Sequence, residues 1–261
     1  MKRTWGIEQI KLSPFYFNSL SLKYALENLK EVDGKILEIG CGAGAFARSI
    51  KKIRPDLEIS GLDIDVKLVN LAKQIDSGNY YMQGDAHSLT FKNNYFNAVI
   101  GFDVMEHLNS PSLAFKEIFR VLKNGGVFHF SIPLEGSNFT IHGWFLKLGV
   151  KPKEKYAGHI QQFKLKDIVK MLKISGFSGI KYKYNGHFIF QFVDFFYFFL
   201  LSAFKLKPSH TIEGYVEVLP NNGLKYLLHG LKMLISFLCF YESKLLSNVP
   251  GQIGHFTAYK K

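Results

Sequence analysis

Residues 36–46 read ILEIGCGAGAF. An apolar run enters a loop with Gly40, Gly42 and Gly44, and a helical pattern follows. The order is strand, tight turn, helix start. Glycine permits the left-handed angles of such a turn, and the turn brings backbone N–H groups close to a bound nucleotide. Read through Gly40, Gly42 and Ala45, the spacing is G-x-G-x-x-A, compatible with a dinucleotide. Read through Gly40, Gly42 and Gly44, it is G-x-G-x-G, which is not that pattern. The turn alone leaves the ligand open, and a purely structural turn has the same residues.

Outward from this turn, short apolar runs alternate with helical patterns. Strands are expected at Lys35–Gly40, Glu58–Ile64, Tyr80–Asp85, Ala98–Asp103 and Gly126–Pro133. Helices are expected at Gly44–Ile53, Val66–Ile75 and Pro111–Leu122, the last with Ser110 as its cap, Pro111 at its first position and Lys123–Gly126 as its stop. Alternation of this kind builds a parallel sheet with helices on both faces, and ligands then bind beyond the carboxyl ends of the strands. Residues 134–163 have weak periodicity and read as a lid. Further on, Lys166–Ser175 is a helix and Gly179–Gly186 a strand. Two apolar segments follow, at 187–204 and 224–240, and residues 254–261 read as a last strand.

Charge divides the chain. Residues 1–144 carry 16 Lys+Arg against 15 acids, whereas residues 145–261 carry 17 Lys, no Arg and 6 acids. The second part therefore points to an anionic partner, a membrane face or a nucleic acid. Arginine serves bidentate phosphate and base recognition, so its absence favours diffuse attraction to headgroups over a sequence-reading groove. Cys41 and Cys239 cannot make a disulfide framework, which suits a reducing compartment. The stretch MKRTWGIEQIKLSPF has basic residues without a following apolar run, so no signal peptide is expected. The expected location is cytoplasmic, with a peripheral place at the inner face of a membrane as an option.

The acids at the strand ends sharpen the ligand. Asp63, in GLDID, follows the glycine turn by some twenty residues, where a carboxylate can accept from both ribose hydroxyls. Asp85 closes the next strand, where it can accept from an adenine amino group while the Ala86 N–H donates to a ring nitrogen. The succession LEIGCGAGAF, GLDID, GDAHSLTFKNNYFNAVI, EHL, RVLKNGG resembles the class I methyltransferases that use S-adenosylmethionine. The resemblance covers roughly residues 30–186. It implies an α/β fold, a doubly wound, seven-stranded, mostly parallel sheet with an antiparallel last strand. On this reading the core spans 1–186 with an N-terminal helix and the lid at 134–163, a helical insertion spans 187–250, and residues 251–261 return to the sheet. Carried over residue by residue, the resemblance places Gly40, Gly42 and Gly44 beside the methionine part of the cofactor. Glu38 holds the loop, Asp63 with Ile64 takes the ribose side, Asp85 and Ala86 the adenine, and Phe102 lines the pocket. Asn97 departs from the family's usual Asp at a strand start, away from the cofactor. Cys41 reads as a small buried spacer.

The sulfonium is already activated, so the chemistry calls for alignment and a base. Glu106 and His107 end the fourth strand, and His159 lies in the lid with His142 and Tyr156. His107, Glu106 and His159 are the catalytic candidates. DVMEH also resembles the E-x-x-E-H metal site of ubiquinone-pathway O-methyltransferases and small-RNA 3′-end methyltransferases, which makes Asp103, Glu106 and His107 candidate ligands of a divalent ion. The same residues also fit a plain structural role.

The insertion bears on the substrate. A span needs about 20 mostly apolar residues, and Gln191 and Asp194 interrupt the first segment. In the second, Lys225, His229, Lys232 and Ser236 share one helical face, and leucines occupy the other. Core packing, an interfacial membrane helix and an oligomer contact all fit this pattern. The expectation is methyl transfer to a lipophilic small molecule of quinone, isoprenoid or lipid type, with oxygen as the preferred acceptor. The alternatives are an RNA 2′-O-methyltransferase and a non-catalytic, cofactor-binding scaffold with a membrane or partner surface.

Overall fold

The computed structural model describes residues 8–16, 18–150, 152–203 and 223–261. After helix α1 (Ser19–Asn28), strands and helices alternate as β1 (Lys35–Ile39), α2 (Ala45–Ile53), β2 (Glu58–Asp63), α3 (Val66–Ile75) and β3 (Tyr80–Gln83). Next come β4 (Phe96–Phe102), a short 3-10 turn at Met105–His107, α4 (Pro111–Val121) and β5 (Leu122–Pro133). Residues 134–163, expected as a lid, hold two short helices, α5 (Ile141–Lys147) and α6 (Pro152–Ala157), where the sequence shows no clear period. Then follow α7 (Leu165–Ile174), β6 (Ser178–Asn185), α8 (Phe188–Ala203), α9 (Gly223–Leu245) and β7 (Ile253–Tyr259). Residues 204–222, within the expected insertion, lie outside the described residues, as do residues 1–7 of the expected leaderless N-terminus.

The seven strands run in the order β3-β2-β1-β4-β5-β7-β6. β1 pairs parallel with β2 and with β4, and β7 pairs antiparallel with both β5 and β6. The strand order reverses between β1 and β4, so the crevice beyond their carboxyl ends is the place for a ligand. One apolar layer packs Phe115, Ile118 and Phe128 with Phe256. The other packs Leu22, Ile50, Ile59 and Ile100. The sheet between them is buried on both faces, as near-continuous apolar strands require.

Local details correct the reading of α4. Pro111 opens the helix as expected, but the Ser110 side chain makes no cap hydrogen bond. Its N–H instead donates to His87 Nε2 at 3.3 Å, which holds the residue in another orientation. The residues Lys123–Gly126 do not form a separate stop. The helix ends at Val121 and β5 begins at Leu122, which pairs with Phe96. The next pair is Ala98 with Val127, so Lys123–Gly126 form an irregular excursion inside the strand.

The insertion also turns a face over. In α9 the buried residues are Ser236, Cys239 and Ser243, while Leu227, Leu231 and Leu234 are exposed. The face that carries Ser236 is thus the inner one, and the leucines do not supply core packing. In α8, Asp194 and Gln191 point into the protein. Gln191 Oε1 accepts the Ile141 N–H at 2.9 Å, and Asp194 Oδ2 accepts from His142 Nε2 at 2.9 Å and Gln252 Nε2 at 2.6 Å.

Candidate active site

The glycine loop is tied to β2 by its own N–H groups. Gly40 and Cys41 donate to the Leu62 carbonyl at 2.7 and 3.1 Å, and Gly42 donates to Asp63 Oδ2 at 2.8 Å. Gly40, Gly42 and Gly44 have φ of 67°, 53° and 81°, in the left-handed region that favours glycine. A Cβ at Gly40 would collide with the Val104 side chain, and one at Gly44 with the Tyr81 phenol. Glu38 is buried and its Oε2 accepts the Ala47 N–H at 2.9 Å, which fastens β1 to the start of α2. Burial raises its pKa to about 8. Cys41 is buried, and burial raises its thiol pKa far above the usual range, as expected for a spacer.

The other cofactor candidates surround this loop. Asp63 also accepts the Asp65 N–H through Oδ1 at 2.9 Å, and Ile64 beside it is 69% exposed, an apolar surface at the pocket edge. Asp85 Oδ1 accepts from the His87 backbone N–H at 2.9 Å and from its Nδ1 at 2.6 Å. Those two bonds, the backbone N–H first, lower its pKa. Ala86 is buried. Phe102 stacks on Phe46 with centroids 3.6 Å apart, so it forms a flat wall at the end of β4. Acceptors for hydroxyl and amino groups, an exposed apolar residue and a glycine-walled loop suit a nucleoside with a small charged side chain.

Past Val104 the chain turns sharply. Asp103 has φ 53°, and its Oδ1 accepts from Ser131 Oγ at 3.3 Å. Glu106 is fully buried, and neither carboxyl oxygen has a hydrogen-bond partner among the described residues. Burial, then the neighbouring Asp103 charge, raises its pKa well above the usual carboxylate range. His107 Nδ1 lies 3.0 Å from the Gly158 carbonyl, and His159 Nδ1 lies 3.1 Å from both Glu135 oxygens. Carbonyl and carboxylate oxygens only accept, so each Nδ1 carries a proton, and the neutral ring then has its lone pair on Nε2. The two rings meet edge to face at 5.0 Å. Burial lowers the pKa of His107.

The lid therefore reaches the catalytic candidates. His159 belongs with Glu106 and His107, and ligand atoms of these three lie within 4.8 Å of one another. Asp103, one of the three candidate ligands with Glu106 and His107, is not in that group. His142 lies in the lid but turns to Asp194. The side chain of Tyr156 lies outside the described residues.

Sequence reading missed the support behind His159. Lys153 is buried, and its Nζ lies 2.7 Å from Glu135 Oε1 and 2.6 Å from Asp194 Oδ2. Burial opposes the Glu135 charge, yet Lys153 and His159 hold its pKa down to about 2. The available signal was Asp194 itself: an acid inside an apolar helix needs a buried cation.

A second buried polar group lies across the sheet. His129 on β5 and His255 on β7 face each other at 6.3 Å, and both ring nitrogens of His255 lack partners among the described residues. Burial lowers the His129 pKa to about 3 and that of His255 well below its ordinary value. Each is neutral in the fold but protonates in the unfolded chain near pH 6.5, so its contribution to stability is full above about pH 6.5 and falls as the pH drops. Glu38 and Glu106 act with the opposite sign, so a variant isolates the histidine effect. Relative to wild type, His255→Phe should gain about 2 kcal/mol of stability between pH 7.5 and pH 5. Urea midpoints at the two pH values check this, and a gap that stays constant contradicts it.

Comparison with known proteins matches this geometry. A family model described as a methyltransferase domain matches residues 37–130. A demethylmenaquinone methyltransferase of Thermotoga maritima is 32% identical over 133 residues, covering 49% of this chain and 58% of that enzyme. The chain thus spans less than two thirds of that relative's length. A ubiquinone biosynthesis O-methyltransferase of Aliivibrio fischeri is 27% identical over 195 residues, covering 69% of this chain and 82% of that one. Among solved structures, a Haemonchus contortus phosphoethanolamine N-methyltransferase in complex with S-adenosyl-L-methionine superposes with a TM-score of 0.56. Its identity is 22%, over 91% of this chain and 52% of that one, a likeness of fold.

Proposed function

We propose, from the match of residues 37–130 to a methyltransferase-domain model, that this chain is a class I S-adenosylmethionine-dependent enzyme that methylates a lipophilic small molecule. Oxygen on a quinone-, isoprenoid- or lipid-like acceptor is the preferred target. The observation that carries this reading is the pair His107 and His159, whose Nδ1 atoms are tied to a carbonyl and a carboxylate and whose rings meet beyond the end of β4. When bound, S-adenosylmethionine supplies a methyl group on a positively charged sulfur. Gly40, Gly42 and Gly44 with Glu38 shape the loop that holds it, Asp63 with Ile64 takes the ribose side, Asp85 and Ala86 the adenine, and Phe102 the wall. The chain's own task is then to orient an acceptor hydroxyl and remove its proton. Glu135 orients His159 through Nδ1, and Gly158 does the same for His107, so either Nε2 can receive that proton. Names of relatives that act on menaquinone and ubiquinone precursors support the lipophilic class.

A second reading of the cluster rests on Glu106, whose carboxyl is buried without a partner beside two histidines. Glu106, His107 and His159 offer the oxygen and nitrogen donors that suit a divalent ion, which would lower the pKa of the acceptor hydroxyl. One assay addresses both readings. Label from the methyl group of the cofactor should pass into a total lipid extract and not into total RNA. Unchanged transfer in EDTA supports the histidine base, and loss restored by a divalent ion supports the metal. Label in RNA alone overturns the proposal in favour of an RNA methyltransferase; label in neither favours a non-catalytic scaffold. A peripheral place at the inner face of an anionic membrane agrees with the lysine excess of residues 145–261.

A further inference from the structure

Helix α9 has the reverse of a water-soluble pattern. Its inner side carries Ser236, Cys239 and Ser243. Its outer side carries Leu227, Leu231, Leu234 and Leu238, spaced i, i+4, i+7 and i+11 and 43–69% exposed. The neighbouring α8 repeats the arrangement: Phe188, Phe192, Phe196 and Phe199 are at least half exposed, again at one-face spacing. The two helices pack together, with Glu242 accepting the Ile189 N–H at 3.2 Å and Ser243 Oγ accepting the Gly186 N–H at 3.2 Å. Two apolar stripes thus lie on adjoining helices, in the half of the chain (residues 145–261) that carries 17 Lys against 6 acids, ten of those Lys within residues 145–187.

We propose that the outer faces of α8 and α9 dock on the surface of an anionic lipid bilayer, lying in the headgroup layer without crossing it. This deepens the function proposed above, since it names the source of a lipophilic acceptor. Large exposed apolar patches are rare on a protein that meets only water. A helix with an outward leucine stripe is stable in the interface, where leucines enter the acyl boundary. The charge comes from the preceding residues 145–187, with ten Lys against two acids, and a second copy of this basic chain lacks the complement to it. By length and composition alone α9 could cross a membrane. Its inward serines and cysteine, and its attachment to α8, oppose that. In α8, Asp194 is pinned to Lys153, His142 and Gln252, so one side of the helix belongs to the protein core. The opposite side is free for lipid, and the same Asp194 leads through Lys153 and Glu135 to His159.

The test is flotation of the full chain with phosphatidylcholine vesicles containing about 30 mol% phosphatidylglycerol. Wild type should rise with these vesicles at low salt, rise less with pure phosphatidylcholine, and be released by alkaline carbonate. The exposed-site variant Leu231→Glu/Leu234→Glu should lose about tenfold or more in partition, while keeping its melting temperature and its binding of S-adenosylhomocysteine. Undiminished flotation of the variant, no flotation of wild type, or retention through carbonate overturns the proposal. So does sedimentation showing a wild-type dimer without lipid that the same substitutions dissociate. Flotation needs no acceptor, so its failure is separate from failure of the methyl-transfer assay.

Discussion

Asp63→Ala should weaken S-adenosylhomocysteine binding about a hundredfold or more, because two hydrogen bonds to a charged acceptor contribute roughly 1.5–3 kcal/mol each. The carboxylate has two tasks. In the proposed function it accepts from the ribose, and in the fold it already accepts the N–H groups of Gly42 and Asp65. Removing it therefore also frees the glycine loop from the end of β2. Asp63→Asn keeps the size but replaces one acceptor oxygen by a donor, so it should fall between wild type and alanine. Calorimetric titration measures all three. Wild-type affinity in the alanine variant would contradict the placement of the cofactor.

Lys153→Met should be the most destabilising of the substitutions considered, by about 3–5 kcal/mol, the usual cost of leaving buried charge without its partner. Glu135 and Asp194 both lose their shared cation, although each retains a histidine. Lys153→Met/Asp194→Asn removes one of the two stranded charges and should recover part of the loss, despite carrying more changes. Urea denaturation gives both values. A double variant no more stable than the single one would show that Lys153 and Asp194 are not energetically paired.

The glycine loop and the strand ends around it were legible because each element there carries its reason locally. The glycine turn needs positive φ, Asp63 ends a strand, and Phe102 closes an apolar run, so spacing alone brings them to one crevice. The acceptor half was less legible because its contacts are long-range. Glu135, Lys153, Asp194 and Gln252 come from four separate segments, and no periodicity links them. The leucine face of α9 was seen as a stripe, but a stripe does not state which side the protein takes. Ser236 at the inner face was decided by packing against α8 and β6. The loss of the expected Ser110 cap has the same origin: a distant side chain, His87, took the N–H that fixes the residue's orientation.

The place of β7 bears on the order in which the chain assembles. It follows β6 in the chain, yet it lies between β5 and β6. Lys260 then clasps the end of α4, donating to the Phe119 and Leu122 carbonyls and to Asn94, each at 2.8 Å. On a ribosome, β1 to β4 can pair as they emerge, since each finds its neighbours among strands already made. β6 has no neighbour in the sheet until residues 253–259 arrive. A nascent chain halted earlier carries two open edges, which are templates for pairing with other chains. Residues 253–259 must therefore be made before the β6 side of the sheet can close.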